Sequence, residues 1–294
     1  MSPQTLTKPQ KENQSKSGQP AATKSLKPNI KARRFDVSYE QEVTKHWAQN
    51  DAFLTHWLNA YTMTIPGGET FIVKTMQHFL DQIKDPQLKK DAQGLIGQEL
   101  SHSNGHMKFI DVIHRQGYST RFYSAVTEFL THKILEPTST PLQGLAFIVG
   151  VERINELFAE ITLGANQLAT APAEVRALYE WHLAEEIEHK CVVFDTYHEI
   201  SGSRFWLKYG LYMSFIVNMA YLGFACATFL WQDRKLFSPS TWKSAWRYFF
   251  SETRFLPRMW KGLRECARKG FHPSQTDNRH LAEHVLKNRV ISAA

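Results

Sequence analysis

His182-Leu-Ala-Glu185-Glu186-Ile-Glu188-His189 and the earlier Glu99-Leu-Ser-His102-Ser-Asn-Gly-His106 decide how this chain reads. Each contains Glu-x-x-His: Glu186 with His189, and Glu99 with His102. In an α-helix side chains three or four residues apart share a face. A carboxylate and an imidazole at that spacing can meet one metal ion from one helix. His106 stands seven residues beyond Glu99, and His182 seven before His189, so each helix offers a face of one glutamate and two histidines. One such motif alone is ordinarily a solvated pair. Two, each with a further histidine in register, point to metal chemistry.

Helical bundles that bind two iron or manganese ions take Glu-x-x-His from two helices and one inward glutamate from each of the other two. The order expected along the chain is Glu, Glu-x-x-His, Glu, Glu-x-x-His, and candidates occur in that order. Glu69 begins the helix before the first motif. Glu152 lies in the apolar run Ala146-Phe-Ile-Val-Gly-Val-Glu152 before the second. Glu156 and Glu160 are its rivals. Glu152 is preferred because its neighbours are the most apolar, and an unpaired carboxylate among them would be costly. The candidate metal ligands are therefore Glu69, Glu99, His102, His106, Glu152, His182, Glu186 and His189, with His106 and His182 either ligating or orienting a ligand from behind. Glu185 and Glu188 are read as outer partners or surface groups, and His78, His114, His132 and His198 as ordinary. Imidazole suits iron and zinc while carboxylates favour harder ions, and four glutamates offset two divalent charges. The cofactors expected are two metal ions, iron first, manganese or zinc as alternatives. No catalytic residue is assigned beyond their ligands.

Around these motifs the signals are helical. Apolar residues recur at helical spacing over 39–62. Pro66-Gly67-Gly68 reads as a turn opening a helix from about Glu69 to Ile83. Asp85-Pro86 starts the helix of the first motif, which Gly117 ends. A stretch at 118–137 closes at Pro137. Pro141 opens a helix through about Leu168, and Pro172 another through about Ile200. No alternating strand pattern and no repeat is present. The segment 206–231, WLKYGLYMSFIVNMAYLGFACATFLW, contains one charge, Lys208, and is long enough to cross a bilayer. Basic and tryptophan-rich residues follow it, among them Arg234, Trp242, Trp246, Arg247, Arg258 and Trp260, as at a membrane interface. A helix buried in a large bundle is the alternative.

Charge is divided sharply. Residues 1–34 hold eight Lys/Arg against one acid, residues 233–294 hold thirteen against five, and the stretch between is net acidic. The overall +7 is therefore no sign of nucleic-acid binding. Residues 1–34 are Ser-, Lys- and Gln-rich with few large apolar groups, so the expectation is a disordered basic tail. Three cysteines with no CxxC pairing exclude a zinc ribbon or a disulfide scaffold. The expected fold is all-α: a ferritin-like helical bundle over 35–205, an additional long apolar helix over 206–231 that is membrane-associated or buried, and a basic helical region over 232–294 packing on the bundle or on a membrane surface.

Trp181-His182-Leu-Ala-Glu-Glu-Ile-Glu-His189-Lys190-Cys-Val-Val-Phe194-Asp195 resembles a signature of the bacterial family of predicted metal-dependent hydrolases. Gly97-Gln98-Glu99-x-x-His102-x-x-x-His106, Pro66-Gly-Gly-Glu69 and Gly270-Phe271-His272-Pro273 resemble its other motifs, and the likeness runs from about 35 to 275. It implies the same eight ligands. At 153–155 the chain reads Arg-Ile-Asn, a departure from the family pattern. The family name implies hydrolysis, whereas the site resembles ferritin-like di-iron proteins, a group that includes oxygenases, oxidases and desaturases.

Two reactions are thus expected candidates: O₂-dependent oxidation of a hydrophobic substrate, and hydrolysis by a metal-bridged hydroxide. A non-enzymatic metal-binding or membrane-attached protein is the third reading. The partners expected are a hydrophobic or lipid-like substrate and a membrane surface, with a homodimer as an open alternative, in the cytoplasm.

Overall fold

A computed structural model of the chain describes residues 30–39 and 42–288. Among the described residues there are helices and no strand. In chain order they are α1 (Ala52–Phe79), α2 (Pro86–Arg115), α3 (Arg121–Phe129), the single turn α4 (Glu136–Thr138), α5 (Pro141–Gly164), α6 (Ala173–His189), α7 (Val192–Ile200), α8 (Arg204–Gln232), α9 (Pro239–Trp246), α10 (Phe255–Cys266) and α11 (Arg279–Asn288).

Local chemistry accounts for several starts. Asp51 caps α1 by accepting from the Leu54 N–H, and Asp85 caps α2 through the Gln87 and Leu88 N–H groups with Pro86 in the first turn. Thr140 and Gln143 form a reciprocal capping box on α5 ahead of Pro141. The core between the helices holds Trp181, Tyr179, Phe109 and Phe158, all fully buried, each worth on the order of 1.5–3 kcal/mol against exposure.

Four expectations change. Pro66 does not open a helix; it lies inside α1, which runs unbroken through Pro66-Gly67-Gly68 to Phe79. A proline removes one backbone donor without forbidding a long helix whose flanks are packed; Ile65, Glu69 and Ile72 are buried on either side of it. The helix expected over 172–200 is two, α6 and α7, parted at Lys190-Cys191. No glycine or proline marks that break. The buried Lys190 side chain instead reaches the Thr276 carbonyl at 2.7 Å and Asn278 at 2.6 Å. The helix from Pro141 ends at Gly164 rather than Leu168. The expected disordered tail of 1–34 does not hold over 30–34. Residues 1–29 lie outside the described residues, but Ile30 is buried, the Lys31 carbonyl accepts from Gln98 at 3.0 Å, and Arg33 is ion-paired. Composition alone hides these contacts because each depends on a helix surface far along the chain.

The apolar helix α8 packs lengthwise on α5 and α1. Gly150 and Gly210 allow the approach to α5: a Cβ on Gly210 would overlap the Ala146 carbonyl. Leu207, Leu211, Leu222, Ala225 and Phe229 form the buried face, while Phe205, Tyr209, Ile216 and Trp231 are exposed. α8 is long and apolar enough to cross a membrane, yet a third of its most apolar window is buried in the protein. It is thus one wall of the bundle with a bare outer face. Of the basic C-terminal helices, α9 packs on α1, α10 on α5 and α11 on α6.

Candidate metal centre

Four helices aim side chains at one point in the core. α1 supplies Glu69, α2 supplies Glu99, His102 and His106, α5 supplies Glu152, and α6 supplies His182, Glu186 and His189. None of the eight is more than 2% exposed. Seven of them converge as two groups, in each of which the facing donor atoms lie within 4.8 Å of one another: Glu69, His102, His182 and Glu186; and Glu99, Glu152 and His189.

Two glutamates span the groups. Glu99 turns Oε1 to His189 Nδ1 at 3.0 Å and Oε2 to His102 Nδ1 at 3.8 Å. Glu186 turns Oε1 to His182 Nε2 at 2.9 Å and to His102 Nδ1 at 3.8 Å, and Oε2 to His189 Nδ1 at 3.8 Å. Glu69 lies beyond on one side, 3.5 Å from His102 Nδ1, and Glu152 on the other, 3.7 Å from His189 Nδ1.

The donor set fits metal ions. All eight oxygens of Glu69, Glu99, Glu152 and Glu186, with Nδ1 of His102 and of His189, are buried without a hydrogen-bond partner. Buried polar atoms are normally satisfied, so ten orphaned atoms facing one another mark a place where a cation would supply what the protein does not. The outer nitrogens are occupied. His102 Nε2 donates to Glu185 Oε2 at 2.8 Å, and His189 Nε2 donates to Gln98 Oε1 at 2.7 Å. An acceptor behind each ring sets the tautomer that leaves the Nδ1 lone pair facing inward.

His106 stands outside both groups. Its Nε2 is 2.9 Å from His182 Nδ1 and its Nδ1 is 3.0 Å from Thr62 Oγ1, which in turn lies 2.6 Å from the Tyr179 hydroxyl. It is placed to orient His182. Tyr61, on α1, reaches His182 Nε2 with its hydroxyl at 3.0 Å.

Electrostatics reflect the crowding. Burial pushes Glu69 and Glu152 well above the usual carboxylate range and Glu186 up to about 7. Burial acts the same way on Glu99, but His189 and His102 outweigh it and hold that carboxyl low. Burial disfavours charge on His189, yet Glu99 more than offsets it and raises the imidazole to about 10. His106 and His182 are pushed well below the ordinary value, first by burial and then by a neighbouring imidazole, His182 for His106 and His102 for His182. The carboxylates here share protons and imidazolium charge among themselves, the charge that bound cations would replace.

The rivals of Glu152 are engaged elsewhere. Glu156 pairs with the buried Arg153 and accepts from Asn278 at 3.0 Å, and Glu160 pairs with Arg258 at 2.6 Å. Sequence reasoning did not single out Gln98, Tyr61, Thr62 or Arg33. Gln98 and Glu185 each sit one residue before a candidate ligand glutamate, off the face that points into the centre, so helical spacing gave no signal for Gln98 and only an outer role for Glu185. A third titratable group, His46, His56 and Asp233, was likewise unmarked: Asp233 Oδ2 is 2.6 Å from His46 Nε2 and 3.3 Å from His56 Nε2.

The fold and site define a class: an all-helical protein whose core carries a buried glutamate–histidine constellation suited to metal ions. The chain belongs to the family described as predicted metal-dependent hydrolase, whose model matches residues 31–277. No curated protein and no solved structure matches it.

Proposed function

We propose that the two residue groups hold two iron ions and that the protein is an oxidoreductase using dioxygen on a hydrophobic substrate. The observation that carries this reading is the pair Glu99 and Glu186, each with one oxygen toward either group, inside a site sealed from solvent. Carboxylates so placed can join two cations and shift between them, and four glutamates neutralise two divalent ions in a low-dielectric core. Bound iron would supply the electrons that reduce dioxygen. Dioxygen is small and apolar and can pass through packed side chains to a buried site. The protein's own part is positional. Glu185 and Gln98 hold the two Glu-x-x-His rings, His106 holds His182, and Tyr61 keeps a hydroxyl against His182.

The bare outer face of α8 supports a membrane surface, on the cytoplasmic side, as the place where a lipid-like substrate is met. Phe205, Ile216 and Trp231 are exposed there, and the exposed Lys208, Arg234 and Lys235 lie at its ends. The family description favours a second reading, hydrolysis at the same two ions, and manganese or zinc is the alternative occupant.

Protein purified without added metal is assayed for metal content and by Mössbauer spectroscopy, then reduced and exposed to oxygen. Two irons per chain in a coupled pair, with oxygen uptake, is the expected result. A zinc protein without iron, or ester or phosphate cleavage with no oxygen consumed, overturns the oxidative reading.

A further inference from the structure

Both Glu-x-x-His histidines lead outward to one cation. Behind His102, Glu185 accepts from the ring through Oε2 and from Arg33 Nη1 through Oε1 at 2.8 Å. Behind His189, Gln98 accepts from the ring, and its amide donates to Glu188 Oε2 at 3.3 Å. Glu188 takes both ends of the same guanidinium, at 2.6 Å from Nη1 and 3.1 Å from Nη2. Among the described residues, Arg33 is the only arginine or lysine ion-paired with Glu185 or Glu188.

We propose that Arg33 is a positioning residue for the metal centre, a single anchor that orients both ligand histidines through Glu185 on one side and Glu188 and Gln98 on the other. The inference rests on reading those histidines as ligands.

Three observations carry it. First, Glu185 is fully buried, and a buried carboxylate is tolerated when paired and hydrogen-bonded; Arg33 is the pair. Second, a guanidinium presents a rigid fork of donors, so it can hold two carboxylates at fixed angles where an ammonium acts as a point charge. Third, the segment that delivers Arg33 is itself built into the bundle. A Cβ on Gly94 would overlap the Ile30 carbonyl, and one on Gly97 would lie 2.7 Å from the Ala32 side chain, so the bare glycines of α2 admit the strand of backbone. Phe35 stacks on Trp181 with ring centres 4.6 Å apart, and the Trp181 ring packs edge-on to His102 at 4.8 Å. The segment thus touches the site through Arg33 and again through Phe35.

The test compares wild type with Arg33→Ala, Arg33→Lys and, as a control, the exposed neighbour Arg34→Ala. Iron affinity is measured by competition with a chelator, and the site is followed by its Mössbauer spectrum. Arg33→Ala should weaken binding by about 10–100-fold, the usual cost of losing an outer partner of a ligand, and alter the spectrum. Arg33→Lys should lose less than Arg33→Ala, and Arg34→Ala should keep wild-type affinity and spectrum. A second arm uses metal-free protein: nitrogen NMR of the histidines should show exchange-protected Nε2–H groups on His102 and His189 in wild type, and loss of protection at both in Arg33→Ala. If Arg33→Ala does not fold, Arg33→Lys and Glu188→Gln are read in its place, and Glu188→Gln should affect His189 more than His102. Wild-type affinity, spectrum and protection in Arg33→Ala overturn the proposal, as does a lowered melting temperature with metal affinity intact. Wild type that binds no metal overturns the metal reading instead, and the NMR arm still decides the anchor.

Discussion

His189 of α6 faces Glu99 of α2 with Nδ1 3.0 Å from Oε1, deep in the core and with neither atom hydrogen-bonded. This contact ties the two Glu-x-x-His motifs together, and it gives the metal-free protein a pH dependence whose sign can be worked out.

The folded His189 titrates near 10, above its ordinary 6.5, because Glu99 outweighs burial. A raised histidine contributes stability that is fully present below 6.5 and lost as pH rises toward 10. Glu186, raised by burial to about 7, acts in the same direction between 4.5 and 7. Metal-free protein should therefore lose thermal stability steadily from about pH 6.5 to pH 10 by this linkage. Metal-loaded protein should not, since the cation takes the place of the protons. Melting curves of both forms across that range check this, and parallel curves would count against it.

Glu99→Ala and Glu186→Ala each remove a carboxylate that faces both groups. Each should lower bound metal from two ions toward one or none, read by metal analysis. Glu156→Ala is the contrast. It strands the buried Arg153, at a cost of about 3–5 kcal/mol in denaturant unfolding, but should leave the metal stoichiometry of the folded fraction unchanged. Full metal retention in both ligand variants would refute the site.

His106→Ala should weaken binding at the Glu69–His102–His182–Glu186 group by about tenfold or more while sparing the other, since His106 acts through His182. Equal loss at both groups, seen as uniform loss of the coupled spectrum at every metal loading, would count against a role that runs through His182.

Gly210→Ala places a methyl against the Ala146 carbonyl and should cost at least about 1–3 kcal/mol by overpacking. Alanine at Gly223, whose added Cβ would meet nothing within 4 Å, should be neutral or slightly stabilising. Urea unfolding of the two variants separates them.

Deleting α8 would remove a wall of the bundle, so the membrane reading needs surface changes instead. Phe205→Ser with Trp231→Ser should reduce co-flotation with phosphatidylglycerol vesicles several-fold while melting stays near wild type, and added salt should weaken what remains. Unchanged flotation would remove α8 as the contact.

Much of the site was legible because its logic is periodic. Glu99 with His102, and Glu186 with His189, share helix faces by spacing alone, and the apolar run around Glu152 set it apart from Glu156 and Glu160. Local rules also placed the helix starts at Asp85-Pro86 and Pro141. Periodicity carries no information about what stands behind a ligand, so Gln98, Tyr61 and Thr62 went unmarked, and Arg33 was assigned to a tail by composition.

The sequence by itself determined an all-helical chain, four helices able to face carboxylates and imidazoles inward, and residue types suited to metal ions. These follow from short-range geometry, 100° per residue, and from the cost of burying charge. Only the tertiary structure decided that Glu99 and Glu186 span both groups, that His106 backs His182, that α1 runs unbroken through Pro66, and that α8 is wall on one face and surface on the other. Each of those depends on which face of one helix meets another, and that is fixed by packing between residues distant in the chain.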